Sequence, residues 1–358
     1  MTQTAAGNVS LSFAFRLRSF SANILLLFVS VSICLALLEL AMRKLLPFFN
    51  PAAQIPFQLS TNGVALGPPG KTLRQATPKG DFDLPVRFNT DGFRDSKILA
   101  DAKARDWYAL GDSFTIGWGV EEQQRYSNLL EEYFKTNGIS SRVFNIAIPD
   151  NIIGYGRLLN YAESRGAKIH YLILGICMEN DLRDYSDGKS SWDSMRQPVS
   201  SQPNKRAVQE WLKARSALYV AASYALQKSS LTRGLLEKMG ISRNIDELSG
   251  KNEWNETVLK SSRDELLKVV SGRDALVLII PARRLWHGDN MEMEKRVHET
   301  FVRMLREAGL TVLDLKPMLE EGGEPLRHYF KTDPHWNASG HAVAARELFK
   351  TIAARVEK

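Results

Sequence analysis

The sequence predicts an α/β fold, a three-layer α/β/α sandwich in which helices cover both faces of a five-stranded parallel sheet. Two observations predict it. From Asp106 onward, short apolar runs alternate with stretches of helical periodicity, and such alternation is typical of parallel strands joined by right-handed crossovers. Each apolar run is also short enough for a strand. The candidate strands span residues 107–111, 142–147, 170–175, 275–280 and 310–315.

Helices are predicted between and after these runs. After the first run, apolar side chains recur with the spacing of one helix face and stop before Gly138, a residue type that commonly ends helices. That face consists of Tyr126, Leu129, Leu130, Tyr133 and Phe134. A second helix is predicted around residues 158–162, and a closing helix follows His341. The apolar face of the closing helix consists of Ala345, Leu348, Phe349, Ile352 and Val356.

The alternation breaks between Tyr185 and about residue 264. This stretch opens with a polar loop and continues with helical segments, and it shows no strand signal. The first helical segment carries Val208, Trp211, Leu212 and Tyr219 on one face. We therefore predict a helical insertion at about residues 185–264, on the side of the sheet where the strands end.

A charge-free run of twenty residues, from Ser19 to Leu38, predicts a membrane anchor. At about 1.5 Å per residue, a helix of this length spans about 30 Å, the hydrocarbon thickness of a bilayer. A signal peptide and a buried core helix are the alternatives, and the missing small-x-small cleavage site after Leu38 disfavours the first. We predict a short tail over residues 1–18 and a transmembrane anchor over residues 19–44. Two basic residues flank the run on each side, so the flanking charges do not decide its orientation.

Residues 45–105 are predicted to connect the anchor to a globular domain over residues 106–358. The segment is rich in proline, glycine and polar residues. Within it, VRFNTDGFRD (86–95) predicts two short extended pieces around a turn at Thr90–Gly92.

Charge and cysteine content exclude several classes of function. The net charge of +7 is diffuse, and no dense basic stripe with interleaved aromatics predicts nucleic-acid binding. Two cysteines cannot form a disulfide framework, and no residues show metal-ligand spacing. G-Y-G at 154–156 lacks the remaining glycine of a dinucleotide-binding fingerprint. We therefore expect no metal, no cofactor and no nucleic-acid partner.

The end of the first strand supplies a candidate nucleophile. Ligands bind open α/β sheets beyond the carboxyl ends of the strands, and the first run leads there into Gly111-Asp112-Ser113-Phe114. A serine at a strand-to-helix turn lies at a helix N-terminus, where the helix dipole favours a developing anion. The alternative is that Asp112 or Ser113 only caps the following helix.

Two further strand ends carry polar residues that suit acyl transfer. Asp333 and His335 follow the fifth strand, where the histidine could act as a base and the carboxylate could orient it. Asn180 follows the third strand, and its amide could donate to an oxyanion. The alternatives are a surface histidine and a turn asparagine.

Together these blocks resemble the SGNH, or GDSL, hydrolase family. GDSF at 111–114 resembles its nucleophile block, MEND at 178–181 contains its oxyanion asparagine, and DPHWNASGH at 333–341 resembles its Asp-His block. The resemblance covers residues 106–184 and 265–358. NTDGFRD and GDSFTIGWGVE are also similar to segments of membrane-anchored bacterial members. The resemblance implies a flavodoxin-like sheet and a hydrolase acting on ester bonds, or a related O-acetyltransferase.

The resemblance also implies a role for each site residue. Ser113 would be the nucleophile, His335 the general base and then acid, and Asp333 the group that orients His335. The backbone N–H of Ser113, the amide of Asn180 and the N–H of Asp150 would form the oxyanion hole. Asp150 stands where the family usually has a glycine.

Two functions remain open at this point. The Asp-x-His spacing followed by Trp336 resembles members involved in polysaccharide acetylation, which favours an anchored esterase or O-acyltransferase. Its substrate would be an acyl ester, above all an acetyl ester, of envelope or secreted polysaccharide. Its anchor would then lie in the bacterial inner membrane, with the catalytic domain on the periplasmic side. The alternative is a catalytically decayed SGNH domain that acts as a scaffold in polysaccharide assembly or export, which Asp150 and the helical insertion motivate.

Overall fold

The computed structural model describes residues 5–51, 55–60, 62–77, 80–193, 208, 211–213, 215–228 and 255–356. The strands are β1 (Gln58–Leu59), β2 (Ala65–Leu66), β3 (Thr72–Ala76), β4 (Asp83–Arg87), β5 (Trp107–Leu110), β6 (Val143–Asn145), β7 (Tyr171–Cys177), β8 (Asp274–Ile280) and β9 (Thr311–Asp314). The helices are α1 (Ala5–Leu45), α2 (Ser113–Ile116), α3 (Tyr126–Thr136), α4 (Ile152–Ser164), α5 (Ala217–Lys228), α6 (Glu256–Val270), α7 (Met291–Glu307), α8 (Lys316–Glu320) and α9 (Ala338–Val356).

Strands β5 to β9 form one parallel sheet in the order β6-β5-β7-β8-β9. In register, Trp107 lies opposite Val143 and Tyr171 lies opposite Asp274. Numbered along the chain, this order is 2-1-3-4-5, which is the flavodoxin-like order. The predicted five-stranded parallel sheet is therefore confirmed. Its third strand continues to Cys177, two residues beyond the predicted end, because the apolar run continues there.

Alternate residues of the sheet pack against two helical layers. In β5, Tyr108 and Leu110 belong to the core that contains the buried faces of α4, α6 and α7. Trp107 and Ala109 belong to the core that contains the buried faces of α3 and α9. Strands covered on both faces are apolar almost without interruption, as in the β8 sequence DALVLII. The three-layer prediction is confirmed.

The apolar part of the first helix is not buried against the rest of the described chain. Its segment Asn23–Leu45 has a mean hydropathy of 2.7 and is long and apolar enough to cross a membrane, with none of its most apolar window buried. This length and composition are compatible with a single-pass anchor or with a signal sequence. The helix continues past Leu38, and Glu39 accepts hydrogen bonds from the N–H groups of Ala217 and Leu218 at the start of α5.

The predicted connector contains two small antiparallel sheets, β1–β2 and β3–β4. The predicted turn at Thr90–Gly92 is present, and β4 precedes it, but the second extended piece is wrong because residues 93–95 form no strand. Buried Arg94 donates to the carbonyl oxygens of Gly117 and Val120. These bonds hold residues 93–95 near the end of α2 and not in a strand. β4 pairs instead with β3, whose polar sequence TLRQA gives no strand signal.

The described part of the insertion opens with a loop from Tyr185 and continues with helical segments. Residues 208 and 211–213 are helical and α5 follows, with no strand among the described residues of the insertion. Tyr219 does not share one continuous helix with Trp211, because the chain turns at Arg215 and Ser216 before α5 begins. The remaining predicted insertion residues, 194–207, 209–210, 214 and 229–254, lie outside the described residues.

Candidate active site

Ser113 is the first residue of α2, just beyond the carboxyl end of β5. Gly111 allows the chain to pass closely over the sheet, because a Cβ there would lie 2.8 Å from the carbonyl oxygen of Gly175 in β7. The N-cap of α2 is Asp112, whose Oδ1 accepts the N–H of Phe114 at 2.9 Å. The cap and the candidate nucleophile are therefore different residues, and the Ser113 hydroxyl is left for other contacts.

The Ser113 hydroxyl contacts a histidine from the far end of the chain. His335 Nε2 lies 2.7 Å from Ser113 Oγ, and His335 Nδ1 lies 2.6 Å from Asp333 Oδ1. The side chains of His335 and Asp333 are 16% and 15% exposed, so this relay is largely shielded but still open on one side. A hydroxyl, an imidazole and a carboxylate in this order can activate the hydroxyl for acyl transfer.

The loop that carries Asp333 and His335 is anchored in the core on its carboxyl-terminal side. Asp333 Oδ1 also accepts the backbone N–H of His335 at 3.0 Å, so one oxygen orients both the backbone and the ring. Tyr329 and Trp336 form an antiparallel bridge, and Trp336 is fully buried. Asn337 accepts an N–H at the start of α9 at 2.9 Å. These contacts fix the direction in which the imidazole points.

Two aromatic side chains flank the His335 ring. The Phe114 ring centroid lies 4.9 Å from it and the Trp118 centroid 5.9 Å. Phe114 is buried and Trp118 is half-buried. Apolar rings at this distance exclude water from part of the imidazole surface, which strengthens the hydrogen bonds of the relay.

Asn180 lies at the same edge of the sheet and contacts the nucleophile turn. Its Nδ2 donates to Asp112 Oδ2 at 3.1 Å. A primary amide carries two N–H groups, so the second one remains for an oxygen of a ligand. Asp112 is fully buried, and this burial raises the pKa of its carboxyl, against the lowering effect of the Asn180 hydrogen bond.

Asp181 lies buried behind this edge rather than in a surface turn. Its Oδ1 accepts the hydroxyl of Tyr155 at 2.9 Å and its Oδ2 accepts the N–H of Cys177 at 2.8 Å. Burial, followed by the nearby charge of Asp112, raises the pKa of Asp181 well above its ordinary value. The Asn-Asp pair in the sequence is typical of turns, so its composition gave no signal of this burial.

Asp150 lies before α4, and its carboxylate is engaged by backbone groups. Its Oδ1 accepts the N–H of Asn151 at 2.8 Å and the N–H of Ser191, in the first loop of the insertion, at 2.9 Å. Burial raises the pKa of Asp150 to about 6, and the two backbone hydrogen bonds oppose this shift. Gly154 is required beneath it, because a Cβ there would lie 2.0 Å from the carboxylate.

Sequence reasoning missed two residues that contact the loop of Asp333. Asp81 Oδ2 accepts the backbone N–H of Asp333 at 2.9 Å, and Arg283 Nη1 donates to the carbonyl oxygen of Asp333 at 3.2 Å. Asp81 is 252 residues away along the chain, so no motif spacing could have found it. Arg283 follows the fourth predicted strand, at the edge of the sheet where the site was expected. That position was the only sequence signal for its contact with the loop.

Metal-binding geometry is not found in the part of the chain that the structure describes. Within it, no group of three or more His, Cys, Asp or Glu side chains is arranged to hold a metal ion. Cys34 and Cys177 are free cysteines.

The carboxyl-terminal part of the chain matches a known family. Residues 248–358 match the SGNH hydrolase-like domain described for acetyltransferase AlgX. The match to this SGNH hydrolase-like domain covers 111 of the 358 residues. The matched range contains Asp333 and His335, whereas Ser113 and Asn180 precede it. No curated protein matches this SGNH hydrolase-like chain in sequence.

Several solved structures are similar to this chain. A lipolytic protein of the G-D-S-L family from Veillonella parvula has 11% identity and a TM-score of 0.38, and the match covers 69% of this chain and 98% of that one. A lipase/acylhydrolase from Enterococcus faecalis has 12% identity and a TM-score of 0.40, with 70% and 96% covered. The acetylxylan esterase Axe2 from Geobacillus stearothermophilus, as a catalytic mutant, has 11% identity and a TM-score of 0.37, with 71% and 96% covered.

Proposed function

We propose that this chain is a membrane-anchored serine esterase or O-acyltransferase that works through an acyl-enzyme on Ser113. The observation that carries the proposal is the relay from Ser113 Oγ through His335 to Asp333. It lies at the carboxyl edge of the parallel sheet, where ligands bind in open α/β folds. A decayed site that acts only as a scaffold would not need the three side chains in mutual hydrogen-bond contact.

Acylation begins when Ser113 Oγ attacks the carbonyl carbon of an ester. His335 Nε2 takes the hydroxyl proton, and Asp333 holds the Nδ1–H and stabilises the imidazolium that forms. The negative charge that develops on the carbonyl oxygen is received by the N–H of Ser113, the second amide N–H of Asn180 and the N–H of Asp150. Each such donor typically contributes about 10²–10³ in turnover. His335 then protonates the leaving alcohol, and the acyl group remains on Ser113.

Deacylation decides between hydrolysis and transfer. His335 removes a proton from an acceptor hydroxyl, which attacks the acyl carbonyl. The bond between the acyl group and Ser113 Oγ then breaks, and His335 returns the proton to Ser113. Water as the acceptor gives a carboxylic acid, whereas a sugar hydroxyl gives a new ester. Both outcomes use the same residues, so the acceptor that reaches the acyl-enzyme distinguishes an esterase from an acyltransferase.

The proposed acyl group is acetyl and the proposed acceptor or donor is a polysaccharide. The acetyltransferase named in the family match supports this choice, and so does the Asp-x-His-Trp form of the last motif. The proposed location is the bacterial inner membrane, with the catalytic domain on the periplasmic side. The apolar segment Asn23–Leu45 supports an anchor, and O-acetylated polymers lie outside the cytoplasm.

The proposal is tested with the full chain in detergent and an activated acetyl ester. Wild type should release p-nitrophenolate from p-nitrophenyl acetate, and Ser113→Ala should reduce that release by at least about 10³-fold. A fluorophosphonate probe should label wild type and not Ser113→Ala, because labelling requires an activated serine. Purified acetylated and deacetylated polysaccharides then separate hydrolysis from transfer.

Two results would contradict this function. Turnover that survives in Ser113→Ala would place the chemistry elsewhere. A folded wild type that neither turns over the ester nor reacts with the fluorophosphonate would favour the scaffold.

A further inference from the structure

The hairpin formed by β3 and β4 reaches the loop of Asp333, although the sequence marks this region only as part of a connector. Asp81 lies in the connection between the two strands. Its Oδ2 accepts the N–H of Asp333 at 2.9 Å and the N–H of Thr332 at 3.0 Å, and it also accepts the Thr332 hydroxyl. A carboxylate that receives three donors on one oxygen makes charge-assisted bonds, which are stronger than neutral ones.

Asp81 is itself held in place. Its backbone N–H donates to Thr77 Oγ1 at 2.9 Å, and the N–H of Thr77 donates to the carbonyl oxygen of Phe82 at 3.1 Å. Phe82 is buried and packs on Phe330, with ring centroids 5.1 Å apart. Asp81 and Phe82 therefore both contact the loop of Asp333, and these contacts preorganise the carboxylate.

The carbonyl groups of the loop are bound by a cation, Arg283. Arg283 Nη1 donates to the carbonyl oxygen of Asp333 at 3.2 Å, and Nη2 donates to the carbonyl oxygen of Lys331 at 3.4 Å. The N–H groups of residues 332 and 333 thus bind an anion, and the carbonyl groups of residues 331 and 333 bind a cation. Lys331 and Thr332 are exposed, so core packing does not fix this part of the loop.

We propose that Asp81 is a positioning residue that acts through Asp333, holding its carboxylate in line with the His335 ring; this rests on the proposed function. Asp81 reaches the chemistry through the backbone of Asp333. Loss of the carboxylate frees two backbone N–H groups and lets the loop shift. A displacement of about 1 Å in a catalytic group can lower a rate by about 10²-fold.

The test compares three variants of the full chain in detergent. Asp81→Ala removes the acceptor, and Asp81→Asn keeps one acceptor oxygen without the charge. The matched control is Asp83→Ala, because Asp83 lies on the same hairpin and pairs with Arg74 on the surface instead. Each variant is measured for kcat and KM with p-nitrophenyl acetate, for thermal unfolding, and for amide hydrogen exchange in residues 330–335.

Asp81→Ala should lower kcat by about 10- to 100-fold while KM changes less than about threefold. Asp81→Asn should recover most of that loss, and Asp83→Ala should stay within about twofold of wild type, since exposed ion pairs contribute little. The amides of Thr332 and Asp333 should exchange at least about tenfold faster in Asp81→Ala, because they lose their acceptor.

Wild-type kcat in Asp81→Ala would overturn the proposal, and so would unchanged exchange of the loop amides. A loss of kcat that Asp83→Ala reproduces would also overturn it, because the effect would then belong to the hairpin as a whole. If Asp81→Ala unfolds, the same comparison is made with Asp81→Leu, whose side chain has a similar shape and no acceptor. If wild type shows no Ser113-dependent turnover, the proposed function fails, and the exchange rates alone then support or overturn the hold of Asp81 on the loop.

Discussion

Replacing Asp150 with asparagine should stabilise the folded chain at pH 8 and leave its stability at pH 4 nearly unchanged. The carboxylate is largely buried, and the same oxygen, Oδ1, accepts the N–H groups of Asn151 and Ser191. The amide oxygen of asparagine can accept both of these bonds. The substitution therefore removes the charge and retains the geometry.

The magnitude follows from the pKa of Asp150, which burial raises from 3.8 to about 6. Because the folded-state pKa is above the unfolded one, the unfolded chain loses this proton first as the pH rises. Ionisation thus destabilises the folded state, with no effect below about pH 4, a growing effect between about pH 4 and 6, and the full effect above. A shift of about two units corresponds to about 3 kcal/mol.

The assay is thermal unfolding of the full chain in detergent at pH 4, 6 and 8. At pH 8, Asp150→Asn should unfold roughly 5 °C above wild type, and at pH 4 the two should coincide. Asp187→Asn is the control, because Asp187 is an exposed acid of the same loop that accepts the N–H of Lys189. Its unfolding should differ from wild type by about 0.5 kcal/mol or less. An equal shift of Asp150→Asn at pH 4 and pH 8 would refute the ionisation argument.

Three further variants have defined outcomes. Asp333→Asn should lower kcat towards p-nitrophenyl acetate by about 10³–10⁴-fold, because the amide would donate to the imidazole and leave its proton facing Ser113. Gly175→Ala should lower the free energy of unfolding by about 1–3 kcal/mol, because its Cβ would lie 2.5 Å from Thr115 Oγ1; Thr115→Ala should recover part of this loss in a urea titration. Asp314→Asn should keep wild-type kcat and lose about 1–2 kcal/mol at pH 7, with the loss shrinking as the pH falls towards 3. Burial would raise the pKa of Asp314, but the hydrogen bond from a neighbouring histidine lowers it, so its contribution to stability is present above about pH 4.

Much of the fold could be predicted from the sequence because parallel strands buried on both faces are nearly uniform apolar runs. The sequences of β7 and β8 are nearly continuous apolar runs. In the helices, apolar residues instead recur every three or four residues. The β3–β4 hairpin could not be predicted in this way. In β4, buried and exposed residues alternate. β3 has mostly polar side chains and pairs with β4 alone, so its strand conformation depends on a partner that its local sequence does not reveal.

In the candidate site as well, some features could be predicted from the sequence and others could not. Ser113 and Asn180 closely follow strands of one parallel sheet, so topology brings them to one edge. Asp333 and His335 come after α8, and the bridge between Tyr329 and Trp336 helps to hold their loop. The contacts that tune them come from elsewhere. Asp181 belongs to a residue pair typical of turns, yet it is a buried carboxyl in the fold. The hydroxyl of Tyr155, on α4, and the nearby N–H of Cys177 satisfy its two oxygens.

The Asp-x-His spacing explains why the connector takes part in the site. With one residue between them, a single oxygen of Asp333 accepts both the ring N–H and the backbone N–H of His335, and Pro334 restricts the backbone between the two. Downstream, the buried ring of Trp336 locks the loop. The loop is thus rigid from Asp333 onward, and its remaining freedom lies upstream, where exposed residues enter it. Asp81 binds at that point, so a catalytic unit that began at residue 106 would keep the nucleophile, oxyanion and Asp-His blocks and lose the contact that holds Asp333.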